Sequence, residues 1–177
     1  MGIEKIITEL CENGGVYEAI KVARDAKLYQ RAANLEQYAE AYGDYDSADA
    51  AEAAGLYKLA INHYEKAFWT HGKLYFFDKA MGLANEHGYY KRGKRVSEAC
   101  YIEFPCRSIN SLWALQYFAE WALYFSHKLD DKDAITTYEV CVAATKSEIE
   151  EIERLKQNPS FRNNVKLLYK KLARALG

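Results

Sequence analysis

This 177-residue sequence predicts an all-α fold, an antiparallel α/α superhelix in which about ten helices stack as right-handed helical hairpins. Three observations carry that prediction. Apolar residues recur at i, i+3, i+4 along nearly every segment, and no stretch of useful length alternates with period two. Glycines interrupt the periodic stretches, at Gly14-Gly15, Gly43, Gly55, Gly72 and Gly88. The chain holds only two prolines, a scarcity that suits long helices better than a turn-rich β-sandwich.

Taken in order, the pattern predicts helices near 3–12, 16–26, 28–42, 45–54, 56–70, 74–86 and 89–103. A glycine just past a helix supplies the left-handed residue that lets the last carbonyls find donors. His71-Gly72 and His87-Gly88 repeat that ending, with an imidazole at the negative end of the helix dipole. "FPCRSIN" is a harder break: Pro105 follows one helix, and Ser108 is the expected N-cap of the next, about 109–127. Asp130 is read as the cap of a long helix over 131–157. Pro159 then opens a last helix, about 160–175, with a stripe of Phe161, Val165, Leu168 and Leu172 suited to capping a helical stack. The links are short, which makes neighbouring helices antiparallel.

A rhythm runs through these segments. Gly55, Tyr57, Ala60-Ile61, Tyr64, Ala67 is matched by Gly14, Val16, Ala19-Ile20, Ala23, Ala26, and in part by Phe77, Ala80-Met81, Ala84 and by Gly88, Tyr90, Gly93, Ser97, Cys100. Offsets of 3, 4 and 7 place these side chains on one helix face. Small residues in the middle of that face let a neighbouring helix approach, and the large anchors at 16, 29, 45, 57, 77 and 90 fill the gaps. Taken two helices at a time, the anchors step by 29, 28, 32 and 33 residues. One hairpin cannot cover such a face alone, so several must stack.

"GLYKLAINHYEKAF", residues 55–68, resembles the second helix of a tetratricopeptide repeat, and "GGVYEAIKVARDA" resembles it too. "AAEAAGLYKLAINHYEKA" is also similar to the helical repeats of clathrin- and coatomer-type α-solenoids. The likeness covers about residues 14–103. It implies a scaffold that binds other proteins. Beyond Pro105 the likeness fades: residues 108–177 are read as longer helices capping the stack, and the chain length makes 1–177 one domain.

Composition bounds the function classes. Half the residues are hydrophobic and 28% are charged, enough for both a full core and a solvated surface. A chain this long buries roughly 70% of its unfolded surface. Net charge is −1, with no global pull toward nucleic acid or anionic lipid. Locally it alternates: residues 1–70 carry −5, 71–107 carry +3, 108–157 carry −4 and 158–177 carry +5. The longest apolar run, "LWALQYFAEWALYF" at 112–125, is shorter than the ~20 residues of a membrane span. The four cysteines show no CxxC spacing, and the N-terminus reads as no export signal, so reduced thiols and a cytoplasmic location are expected.

Two features stand out as candidate binding sites. "YYKRGKR" at 89–95 sets Lys91, Arg92, Lys94 and Arg95 beside two tyrosines, a docking patch for an acidic peptide, a phosphate or RNA, or else the wet side of a helix. Trp113, Tyr117 and Trp121 fall on one side of their helix, a hot-spot strip for a partner helix or a second copy, or else part of the core. The four histidines form no HxxxH or HExxH pair, and no nucleophile, phosphate loop or paired-carboxylate arrangement stands out, so no metal, cofactor or catalytic residue is predicted. The expected function is a non-catalytic scaffold for a protein or peptide partner, with homo-oligomerisation open and no membrane span. The alternative is an RNA- or phosphate-binding adaptor using the basic segment, although nucleic acid is not the expected partner.

Overall fold

The computed structural model describes residues 2–42, 45–106 and 108–157, the side chains of 41, 42, 45 and 46 excepted. Among the described residues the chain is all-α, without a strand. Its helices are α1 (Ile3–Glu12), α2 (Val16–Asp25), α3 (Tyr29–Tyr42), α4 (Tyr45–Ala53), α5 (Tyr57–His71), α6 (Leu74–Glu86), α7 (Tyr90–Glu103), α8 (Ile109–Lys128) and α9 (Lys132–Lys156). The stripe expected over 160–175 and the break at Gly43 lie outside the described residues.

One turn recurs at five of the helix ends. A left-handed residue gives its amide to the carbonyl three back, and the next residue gives its amide to the carbonyl five back, so both orphan carbonyls of the last turn are satisfied. At Gly55, with φ +74°, these bonds are Gly55 N–H to Glu52 O at 2.9 Å and Leu56 N–H to Ala51 O at 2.8 Å. The same pair of bonds closes the turns at Gly14, Lys27, Gly88 and Asp130. In every case the next helix begins two residues after the left-handed position. The Gly-to-aromatic spacing of "GLY" and "GYY" is therefore turn geometry, with glycine at the left-handed residue and tyrosine as the first helical residue.

Among the described residues, two left-handed positions are not glycines, namely Lys27 at φ 60° and Asp130 at φ 53°. The second corrects the expected cap of α9. Because Asp130 is spent on the turn, the N-cap falls to Asp131, whose Oδ1 accepts the Ala134 amide at 3.2 Å. Ser108 caps α8 as the sequence predicts, accepting the Ser111 amide at 3.2 Å.

Helix contacts gather into two compact units, Met1–Tyr89 and the chain from Tyr90 onward. In the first unit α1 packs on α2, α2 on α3, α4 on α5 and α5 on α6, and α3 also meets α5. In the second, α7 packs on α8 and α8 on α9. Small residues of the repeated face are buried throughout: Ala19, Ala23, Ala32, Ala39, Ala60, Ala67, Ala80 and Ala84. Their role is close approach, with Ile20, Ile61, Phe68, Phe77 and Met81 filling the space between. Of the large anchors, Phe77 is fully buried, whereas Tyr29 is 68% exposed. Tyr57 is held instead by a stack on His87, ring centroids 3.4 Å apart and 9° from parallel.

Two clusters of polar groups enter the first unit's core with partners, which offsets their desolvation cost. Tyr17 Oη and His63 Nε2, both buried, meet at 3.2 Å between α2 and α5. The buried Tyr64 hydroxyl, with its single proton, lies within hydrogen-bond reach of both Asp49 and Glu52 on α4, 2.6 Å from the latter, and Lys79 on α6 closes the cluster at 3.1 Å from Glu52. All four cysteines are free, with Cys100 buried and the others half-buried.

Candidate interaction surface

The two sequence candidates fall on consecutive helices of the second unit. On α7, helical winding separates the basic segment. Lys91, Lys94 and Arg95 share one face and line an open cleft of about 460 Å³ with Glu98, Leu129 and Asp131. Arg92, about 100° round the helix from Lys91, is half-buried and lies outside that lining. Gly93 is buried.

Lys94 is committed to structure. Its Nζ lies 2.7 Å from Asp131 Oδ2 and 3.2 Å from Glu98 Oε1, with the side chain largely covered. Lys94 and its own hydrogen bond hold the Asp131 carboxyl below the usual carboxylate range, helped by the Ala134 amide. The cleft thus holds two exposed cations, Lys91 and Arg95, beside a neutralised lysine and two carboxylates. It is a mixed-charge surface, and the structure gives the basic segment no concentrated positive field.

On α8 the outcome differs. The face turned to α7 and α9 buries Leu112, Phe118, Ala119, Ala122 and Phe125. The sequence-predicted strip lies on the other side. Trp113 is 48% exposed, while Tyr117 and Trp121 are half-buried. Trp121 stacks on the buried Phe125 with centroids 5.4 Å apart, and Tyr117 meets Trp121 edge-on at 6.5 Å. Between Trp113 and Tyr117, the Gln116 amide donates to Glu120 at 2.8 Å, and its Oε1 is sheltered with no donor among the described residues. The strip is therefore braced at one end by a buried ring and open at the other.

No protein-family model, curated protein or solved structure matches the chain.

The α4–α5–α6 cluster in the first unit is what the linear pattern missed. "HYEKA" marks Tyr64 as a packing residue, and its ring is indeed fully buried. Nothing local announces that its hydroxyl meets Asp49 and Glu52. Burial, then its two carboxylate partners, raise the Tyr64 pKa well above the ordinary value, so it stays a protonated donor. Beside this cluster an open cleft of about 270 Å³ is lined by Glu52, Tyr75, Asp78, Lys79 and Glu86, among others. Among the described residues no group of three or more His, Cys, Asp and Glu is placed to hold a metal ion, and no helix is long and apolar enough to cross a membrane.

Proposed function

We propose that this chain is a non-catalytic interaction module that seats an apolar helix or extended peptide of a partner protein along the Trp113–Tyr117–Trp121 strip of α8. One observation carries the reading: a large aromatic side chain is half exposed at the open end of a strip whose other end is stacked on the core. Indole and phenol rings held in place before binding lose little entropy on contact, which is why such residues dominate interface energetics. Glu120 beside the strip favours a partner segment with a basic residue flanking its apolar face. The tetratricopeptide-like and α-solenoid likeness, a superhelix of hairpins in a single domain, belongs to this proposal, and α3 meeting α5 as well as α2 is in keeping with stacked hairpins. Four free thiols suit a reducing, cytoplasmic setting.

A displayed library of helical peptides selected on the wild-type chain tests the reading. Selected peptides are expected to bind at least tenfold more weakly to Trp113→Ala, a loss typical of a hot spot, and to tolerate added salt. Peptides that bind wild type and Trp113→Ala equally would overturn it. Binding that instead falls steeply with salt and disappears in Lys91→Glu/Arg95→Glu would move the function to the basic segment as an RNA- or phosphate-binding adaptor.

A further inference from the structure

The turn between α5 and α6 departs from the five closed by the paired bonds, and the departure changes what the chain presents. After Gly55 the amide of Leu56 returns to the preceding helix, and the side chain turns inward to 3% exposure. At Gly72 a single bond forms, Gly72 N–H to Phe68 O at 2.7 Å. Lys73 then leaves in extended backbone, φ −91° and ψ 118°, and Leu74 stays outside. The result is seven consecutive exposed residues, 69–75, the longest such run among the described residues. Trp69, Leu74 and Tyr75 are 40%, 41% and 54% exposed within it.

This tip is built rather than loose. Trp69 rests edge-on against the buried Phe68 at 5.3 Å, and Tyr75 and His71 rest against the buried Phe76 at 5.5 Å and 5.9 Å. Its charge has one sign. From Lys66 to Phe77 the chain carries Lys66 and Lys73 and no carboxylate. The bounding acids are Glu65 and Asp78, and Tyr75 also borders the cleft where Glu52 pairs with Lys79.

We infer that this tip seats in the interfacial layer of an anionic bilayer. Trp69, Leu74 and Tyr75 enter the boundary between headgroups and acyl chains, and Lys66 and Lys73 stay at the level of the lipid phosphates. Indole and phenol rings favour that layer because one edge is apolar and the other is polar. Lysines beside them extend to keep their ammonium groups wet. Three side chains make a weak anchor on a neutral surface, so the lysines supply the second signal, which on the order of tenfold greater partitioning to anionic lipid would express. This reading is independent of the strip on α8.

Sedimentation of the unaltered chain with vesicles of phosphatidylcholine, alone or with about a third phosphatidylserine, tests it against the stated charge dependence. The chain is expected to pellet with the anionic vesicles at least threefold more than with the neutral ones. That binding is expected to fall at least fivefold in Trp69→Ala/Leu74→Ala/Tyr75→Ala, and also in Lys66→Glu/Lys73→Glu, with helical circular dichroism unchanged. In Trp113→Phe/Trp121→Phe, where Trp69 is the one remaining indole, anionic vesicles should shift the emission to the blue and brominated lipid should quench it. No pelleting with anionic vesicles, equal pelleting on both lipids, or undiminished binding by the triple alanine variant would overturn the inference. So would the same emission shift with soluble glycerophosphoserine, which would indicate a site for a free anion.

Discussion

The ring of Phe125 lies where a side chain at Gly93 would begin. A Cβ built on Gly93 would stand 2.5 Å from Phe125 Cε2 and 2.9 Å from Cδ2, nearer than real carbon contacts come. Both residues are buried, so the α7–α8 crossing depends on a missing methyl group.

Gly93→Ala is therefore expected to destabilise the second unit by about 1–3 kcal/mol, the usual cost of overpacking. The sign is informative, because in an open helix interior the same change stabilises by about 0.5–1 kcal/mol. Gly82 in α6 supplies that control: a Cβ there meets nothing within 4 Å, and Gly82→Ala should stabilise. Urea unfolding of both variants checks the contrast. Phe125→Leu combined with Gly93→Ala should cost less than the sum of the single changes.

Lys27 and Asp130 hold the left-handed position that glycine takes at Gly14, Gly55 and Gly88. A side chain there crowds the following carbonyl, at a cost of roughly 1 kcal/mol. Lys27→Gly should raise the thermal midpoint, while Gly55→Ala should lower it. Opposite shifts of comparable size would establish that the five turns are equivalent; a loss of stability in Lys27→Gly would show that its side chain contributes more than its backbone costs.

What was legible in the sequence is what sits within one helical turn. Alanine faces, glycine turns and the Ser108 cap are patterns of three to five residues, and the structure keeps them. Contacts that bridge helices leave no such mark: Gly93 with Phe125, Lys94 with Asp131 and Tyr17 with His63 are 32, 37 and 46 residues apart. For the same reason "KRGKR" reads as one basic patch. Winding turns Arg92 away from the cleft face, and Glu98 and Asp131 arrive from one turn on and from another segment. Lys27 and Asp130 escaped because a left-handed residue is conspicuous only when it is glycine.

Asp131 joins two jobs, capping α9 and pairing with Lys94. Its carboxyl is held below the ordinary value by the Lys94 hydrogen bond first and the Ala134 amide second. A depressed pKa contributes stability that is present at neutral pH and lost as pH falls through the native value. Asp131→Asn keeps a capping oxygen and removes the charge. The thermal midpoint of wild type should thus drop more steeply than that of Asp131→Asn between about pH 5 and pH 3, the range in which carboxylates protonate. Parallel acid limbs would mean that the pair contributes only through geometry.

Tyr101 and Tyr138 make the opposite prediction at high pH. Their rings meet edge-on at 6.1 Å between α7 and α9. Burial, then the Cys141 side chain, pushes Tyr101 up to about 12. Burial and the Glu98 carboxylate raise Tyr138 further. An acid whose native pKa is raised contributes stability that is whole below its unfolded value, near 10 for tyrosine, and is lost as pH climbs past it, because the unfolded chain releases a proton that the folded chain retains. The phenolate absorbance of Tyr64, Tyr101 and Tyr138 should therefore be held back until the fold gives way. Tyr138→Phe separates the two contributions. At neutral pH it loses a hydrogen bond to Glu98 and should cost about 1 kcal/mol. Above pH ~10 it has no phenol to ionise, so the wild type should lose its advantage while the variant holds. Denaturant midpoints measured at neutral and at strongly alkaline pH should converge or cross, and a constant gap would show that Tyr138 ionises no later in the fold than in the unfolded chain.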